Sequence, residues 1–198
     1  MWALVENNNI TQFFTRPKAI TIGDINYPSN IFIMWSKAEL EAIGIYEVVI
    51  DNSNLKDKEY YINTNQSFNF ASETVTASYG TATAKNLADT LFTAQDETNG
   101  LGTEGEVKAK GLKTIKKENI NKEANGILLP TDWMVIREAD GGTAIPSNIK
   151  TWRASVRTKA NSMCTQIDNA SDVDALAALY EYDLETNERP LGEFPELS

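Results

Sequence analysis

The side chains of this chain that could do chemistry are its carboxylates, a single cysteine, and two aromatic groups with charged neighbours: Asp132-Trp133, and Trp152-Arg153 with Arg157. A carboxylate pair could serve as general acid and base, but that chemistry needs two groups held across a cleft, and spacing along the chain does not show this. Asp132-Trp133 could form a sugar platform, the indole stacking on a ring while the carboxylate accepts hydroxyls. The blander reading makes Asp132 a helix-start residue beside a core Trp133. Trp152, Arg153 and Arg157 have the residue types that dominate protein-contact hot spots. The alternative puts Trp152 inward and both arginines outward.

What is missing narrows the field. The chain has no histidine, so Ser-His-Asp and Cys-His catalysis are excluded, as is the usual zinc ligand. Cys164 is the only cysteine, which excludes an internal disulfide and a CxxC motif. Lying beside Met163, it reads as a buried, inert thiol. Gly100, Gly102 and Gly105 are spaced loosely like a phosphate loop, yet no GKS or GKT follows them. No cofactor and no metal are expected, and the chain reads as a non-enzyme. Lys+Arg 18 against Asp+Glu 28 gives a formal charge of −10 over 198 residues, which opposes a general grip on nucleic acid. There is no signal-peptide pattern and no apolar run of membrane-spanning length, so a protein without membrane insertion, made in a reducing cytoplasm, is expected.

The elements that must position these groups change character along the chain. Over residues 1–80, short β-branched and aromatic runs predict strands at Ala3 to Val5, Ile10 to Phe14, Ala19 to Ile22, Tyr46 to Ile50, Tyr60 to Asn63 and Thr74 to Tyr79. Asn7-Asn8-Asn9 and Gly23-Asp24 suit turns between them. One helix interrupts: Ser36 and Glu39 form a capping-box pattern and Gly44 a left-handed stop, with Leu40 and Ile43 facing the sheet. This is a small antiparallel sheet with one helix. Its aromatics Trp35, Tyr60, Tyr61 and Phe68 are the stacking candidates if the chain is instead a carbohydrate-binding module.

Residues 81–105 read as a helix carrying Leu87, Leu91 and Phe92, then a flexible connection. Residues 106–182 read as a helical hairpin or small bundle. A lysine-rich helix runs from Lys108 to a stop at Gly126. Pro130-Thr131-Asp132 starts a short helix, with Thr131 as cap and Trp133 as anchor. Pro146-Ser147 opens the longest helix, with Ile149, Trp152, Val156, Ala160, Met163 and Ile167 on one face. A last helix carries Val173, Leu176, Leu179 and Tyr180. Residues 183–198 form an acidic tail without the periodicity of a core, with Leu191, Phe194 and Leu197 available as anchors. Attraction between the lysine-rich helix and this tail is expected, within one chain or between copies in a homo-oligomer. The fold class is α+β.

One stretch carries a family likeness. Leu128-Leu129-Pro130-Thr131-Asp132-Trp133, then Ile145-Pro146, then Trp152-Arg153-Ala154-Ser155-Val156-Arg157, resembles the short helical domain of phage tail assembly chaperone-like proteins. There the pattern runs LL-x-x-TDW, a spacer, and W-x-x-Y-R-x-x-x-R. Trp152 stands where that tyrosine would, and Arg153 and Arg157 keep the arginine spacing. The opening residues also look like a leader module of phage tail-fibre-associated proteins, with Ala3 to Asn7 as first strand and Ala38 to Tyr46 as a helix stop into a strand. These resemblances imply a non-enzymatic bacteriophage tail protein, made in the bacterial host cytoplasm and resident in the virion tail. Its partners would be other tail or tail-fibre proteins. The implied role is structural, at the fibre or tip, or that of an assembly chaperone absent from the mature particle. Trp133, Trp152, Arg153 and Arg157 are the candidate contact residues.

Overall fold

The computed structural model describes residues 1–197. The chain is an α+β protein dividing after Thr83 into two compact units. The first holds β1 (Trp2–Glu6), β2 (Asn9–Phe14), β3 (Ile20–Ile22), β4 (Ile25–Tyr27), α1 (Ile31–Met34), α2 (Lys37–Ala42), β5 (Ile45–Asp51), β6 (Tyr61–Ile62), β7 (Gln66–Ala71) and β8 (Thr74–Tyr79).

Five strands form one sheet in the order β2-β1-β5-β8-β7. The pairs are antiparallel except β5 with β8, where Val48 lies opposite Val75 in a parallel register. That pairing, and strand β7, were not expected from the sequence. Both faces of the sheet carry buried apolar side chains, so β1 reads as the continuous apolar run Ala3-Leu4-Val5. Leu4 and Ile45 pack on one face with Phe14, Ile20, Ile31, Phe32 and Leu40. Ala3, Val48, Val75 and Ala77 pack on the other, with Val5, Ile10, Tyr46 and Phe70 beside them. Phe13 of edge strand β2 meets Phe68 of edge strand β7 at 4.5 Å, so the sheet curls over this second face.

The helix predicted at Ser36 forms as read. The Ser36 N–H donates to Glu39 Oε2 at 2.7 Å, and the Glu39 N–H donates back to Ser36 Oγ at 3.4 Å. The Ser36 N–H, and then the Ser36 hydroxyl, both donating to the carboxylate, hold the Glu39 carboxyl below its ordinary value. Gly44 stops the helix at φ +83°, and a Cβ there would lie 2.7 Å from the Val5 carbonyl oxygen. The turn and the close approach of β1 both require glycine.

The division falls within β9 (Thr83–Ala84), and the second unit goes on to β10 (Thr90–Leu91), α3 (Ala94–Thr98) and β11 (Val107–Ala109). It continues with α4 (Leu112–Leu128), a 3-10 turn (Leu129–Thr131), α5 (Asp132–Ala139), α6 (Ser147–Asn169) and α7 (Val173–Ala178). The helix expected over Leu87 to Phe92 does not form. That segment is extended: Leu91 pairs with Val107, and the carbonyls of Asn86 and Leu87 accept the first free N–H groups of α4, from Leu112 at 2.9 Å and Lys113 at 3.1 Å. Gly111 donates to the Asp89 carboxylate at 2.7 Å in the same joint. The connection at 95–102 is itself partly helical, because Thr93 and Asp96 cap α3 reciprocally. Gly126 does not end α4. The helix continues through it because Leu128 is buried beyond. Leu112, Ile120, Ala124 and Leu128 of α4 are buried, as are Val156, Ala160, Met163 and Ile167 of α6 and Val173 and Leu176 of α7.

Candidate functional site

The family-like stretch folds around one guanidinium. After Leu128 the chain meets Pro130, which has no N–H to donate, and tightens into the 3-10 turn. Arg153, projecting from α6, fills the turn. Its Nη1 donates to the Leu128 carbonyl at 2.9 Å and to Thr131 Oγ1, and its Nη2 donates to Asp132 Oδ1 at 2.6 Å. The cation suits the negative carbonyl end of α4, and the Asp132 carboxylate it pairs with suits the positive start of α5.

Two expectations are corrected here. Thr131 does not cap α5, since its backbone is helical and its hydroxyl instead donates to the Leu128 carbonyl at 2.9 Å. Arg153 does not face outward: it is buried at 5% exposure, because the turn offers it three acceptors, the Leu128 carbonyl and Thr131 hydroxyl being buried and Asp132 part-exposed. Arg157 is exposed, with Nη1 at 3.4 Å from the Arg153 carbonyl.

With Arg153 bracing it from behind, α5 presents its apolar side chains to solvent. No residue of α5 is buried. Leu129, Trp133 and Ile136 are 67%, 53% and 63% exposed, at spacings of four and three that set them on one side of the run. Trp133 is therefore not the core anchor expected from the sequence. Arg137 lies over one face of its ring at 4.9 Å and donates to the carbonyls of Thr143 and Ala144, closing the Gly141-Gly142 loop against the helix.

Trp152 is half-buried, and its indole N–H donates to the Pro195 carbonyl at 2.8 Å. That bond belongs to a further correction. The acidic segment expected to lie outside the core returns to α6 and α7. Leu191 is fully buried, its N–H donates to the Leu179 carbonyl at 3.0 Å, and Lys159 Nζ donates to the Leu191 carbonyl at 2.9 Å. Arg189 holds Glu193 and lies near the rings of Tyr180 and Tyr182. The periodicity is absent because backbone carbonyls and single anchors, rather than a helical stripe, make the attachment. Of the four candidate contact residues, Trp152 and Arg153 are thus engaged within the chain, while Trp133 and Arg157 face outward.

The lysines of α4 find a different acid. Lys113 donates to the Asp168 carbonyl at 2.8 Å and Lys117 pairs with the Asp168 carboxylate at 2.7 Å, at the C-terminal end of α6. Lys117 is raised above its ordinary value by that hydrogen bond. Lys108 and Lys110 precede the helix, where they pair with Asp96 and Glu118. Cys164 is half-buried, and burial pushes its thiol up, with Lys117 opposing. Among the described residues no group of three or more His, Cys, Asp or Glu is placed to hold a metal, and no helix is long and apolar enough to cross a membrane. Gly105 and Leu101 close the α3 loop through bonds to the Phe92 and Asp96 carbonyls, so the glycines there serve the hairpin. Of the stacking candidates, Tyr60 is buried, Phe68 packs on Phe13 and Trp35 meets Tyr27 edge-on at 5.8 Å. Tyr61, half-buried, has Lys56 near its ring.

Sequence signals for the outward face of α5 were present in Ile136 and Leu129, which fit no buried stripe of the neighbouring helices. Comparisons with protein-family models, with curated proteins and with solved structures found no match.

Proposed function

We propose that this chain is a non-enzymatic structural component of a bacteriophage tail, at the fibre or tip, made in the bacterial host cytoplasm and carried into the virion. It works through contacts with other tail or tail-fibre proteins. The observation that carries the reading is the outward row Leu129, Trp133 and Ile136 on a helix with no buried residue, held from behind by Arg153. An exposed apolar patch on a rigid helix is a contact surface, with an aromatic as its centre. The likeness of the LLPTDW and WRASVR stretches to phage tail assembly chaperone-like proteins supports the tail context.

The occupant of that row is a different tail protein offering an apolar groove. A second copy is disfavoured because each chain carries −10 and copies repel at long range. Quantitative mass spectrometry of purified virions beside infected-cell lysate tests the reading. A fixed stoichiometry in virions supports a tail component. Abundance in lysate with absence from virions makes the chain an assembly chaperone instead.

A further inference from the structure

We propose that the first unit carries a binding cleft for a neutral oligosaccharide between its two tight hairpin turns, Asn7-Asn8 and Ser72-Glu73. The proposal does not depend on the tail assignment.

The cleft has a volume of about 550 Å³ and is lined by Val5, Asn7, Asn8, Tyr46, Phe70, Ala71, Ser72 and Glu73. That size lies within the range of about 300–1,000 Å³ that small-molecule sites occupy. Its floor is aromatic: Tyr46 of β5 and Phe70 of β7 meet at 4.8 Å. Both rings are half-buried, so part of each remains open to a ligand. The rim is polar. Among the described residues, the side chains of Asn7, Asn8, Ser72 and Glu73 and the Tyr46 hydroxyl make no hydrogen bond or ion pair with protein.

The turns supply a second, independent observation. Asn7 and Asn8 have φ of +51° and +63°, and Ser72 and Glu73 have +50° and +55°. A two-residue hairpin turn of this kind favours glycine, asparagine or aspartate, above all Asn-Gly. Serine and glutamate at such angles carry a backbone cost of order 1 kcal/mol or more each. The β7–β8 pairing holds the turn in place, but among the described residues no side-chain bond of Ser72 or Glu73 to the protein offsets the choice of these two residue types. Side chains kept at strained positions, aimed at a cleft and left without partners, are positioned for a ligand.

The chemistry of the lining selects the class. No lysine or arginine lines the cleft, so a phosphate or carboxylate ligand would meet only Glu73 and be repelled. Glu73 is also the only charge, while the rest of the rim is amide and hydroxyl. A ligand with an apolar face for Tyr46 and Phe70 and a row of hydroxyls for amides and one carboxylate is a chain of sugar rings.

The test uses the full chain with maltotriose, cellotriose and chitotriose as probes, read by isothermal titration and by saturation-transfer NMR. Binding of at least one is expected, with transfer strongest to the ring C–H protons. The informative variant is Ser72→Gly with Glu73→Gly, which relieves the left-handed positions and deletes both rim groups. It should melt a few degrees higher than the parent and bind at least about tenfold more weakly. Binding of none of the probes, or undiminished binding by the double variant, would overturn the proposal.

Discussion

Arg153 of α6 and Asp132 of α5 are joined at 2.6 Å, although 21 positions separate them in sequence. The pair ties the start of α5 to the longest helix, and the same guanidinium satisfies the Leu128 carbonyl at the end of α4. Arg153→Ala would leave that buried carbonyl without its charged donor. A loss of about 2–3 kcal/mol is expected from the lost charged hydrogen bonds, with only the Thr131 hydroxyl left on that carbonyl. Asp132→Ala should cost less than about 1 kcal/mol, because its side chain is 45% exposed. Thermal unfolding of the two variants checks the ordering, and equal losses would contradict the role given to the Leu128 carbonyl.

Trp133 and Ile136 should behave in the opposite way. Both are more than half exposed, so Trp133→Ser with Ile136→Ser should change stability by no more than about 1 kcal/mol, mainly through the lost Arg137 contact. Incorporation into virions should fall sharply. A variant that unfolds would place these side chains in a core, against the account.

Leu191 is the hinge pin of the returning acidic segment. Leu191→Ala removes a fully buried side chain and should cost about 2–5 kcal/mol if the segment unfolds with the rest of its unit. Hydrogen exchange would show the effect directly, with protection at the Leu191 N–H, bonded to the Leu179 carbonyl, lost first.

Asp96 gives the β10–β11 hairpin a pH dependence. Its hydrogen bond with Lys108, then those with Thr93, lower the carboxyl from 3.8 to about 2. A depressed carboxyl contributes its stabilisation above the unfolded value and loses it as pH falls through the folded one. The α3 cap should therefore weaken between about pH 4 and pH 2. An NMR titration of the Asp96 carboxyl carbon measures the midpoint, and Asp96→Asn should abolish the transition. A midpoint near 4 would contradict the pairing with Lys108.

Much of the architecture was legible in the residues. Ser36 with Glu39 and Gly44 specified α2 to its ends, because local hydrogen bonds decide a capping box. The apolar face of α6 was legible because Val156, Ala160, Met163 and Ile167 repeat over more than three turns. Illegible were the features that depend on distant partners. Leu87, Leu91 and Phe92 have helical spacing, yet their backbone is drawn out by pairing with β11 and by the need of α4 for acceptors at its start. Strand β7 was hidden because Ser72-Glu73 is not a usual hairpin dipeptide. In the candidate site, the residue types of the Thr131-Asp132 and Arg153 group were visible, but their roles were not. Whether an arginine on a helix faces water or a neighbouring turn is settled by the turn, and Pro130 shaped that turn out of sight of the periodicity.

The most direct measurement places a photo-crosslinking amino acid at Ile136 during phage assembly and asks what it reaches in purified virions. The account predicts one defined adduct between this chain and another tail or tail-fibre protein, reduced by Trp133→Ser. Virions that contain the chain with Ile136 uncrosslinked, or crosslinked only to a second copy of itself, would contradict it.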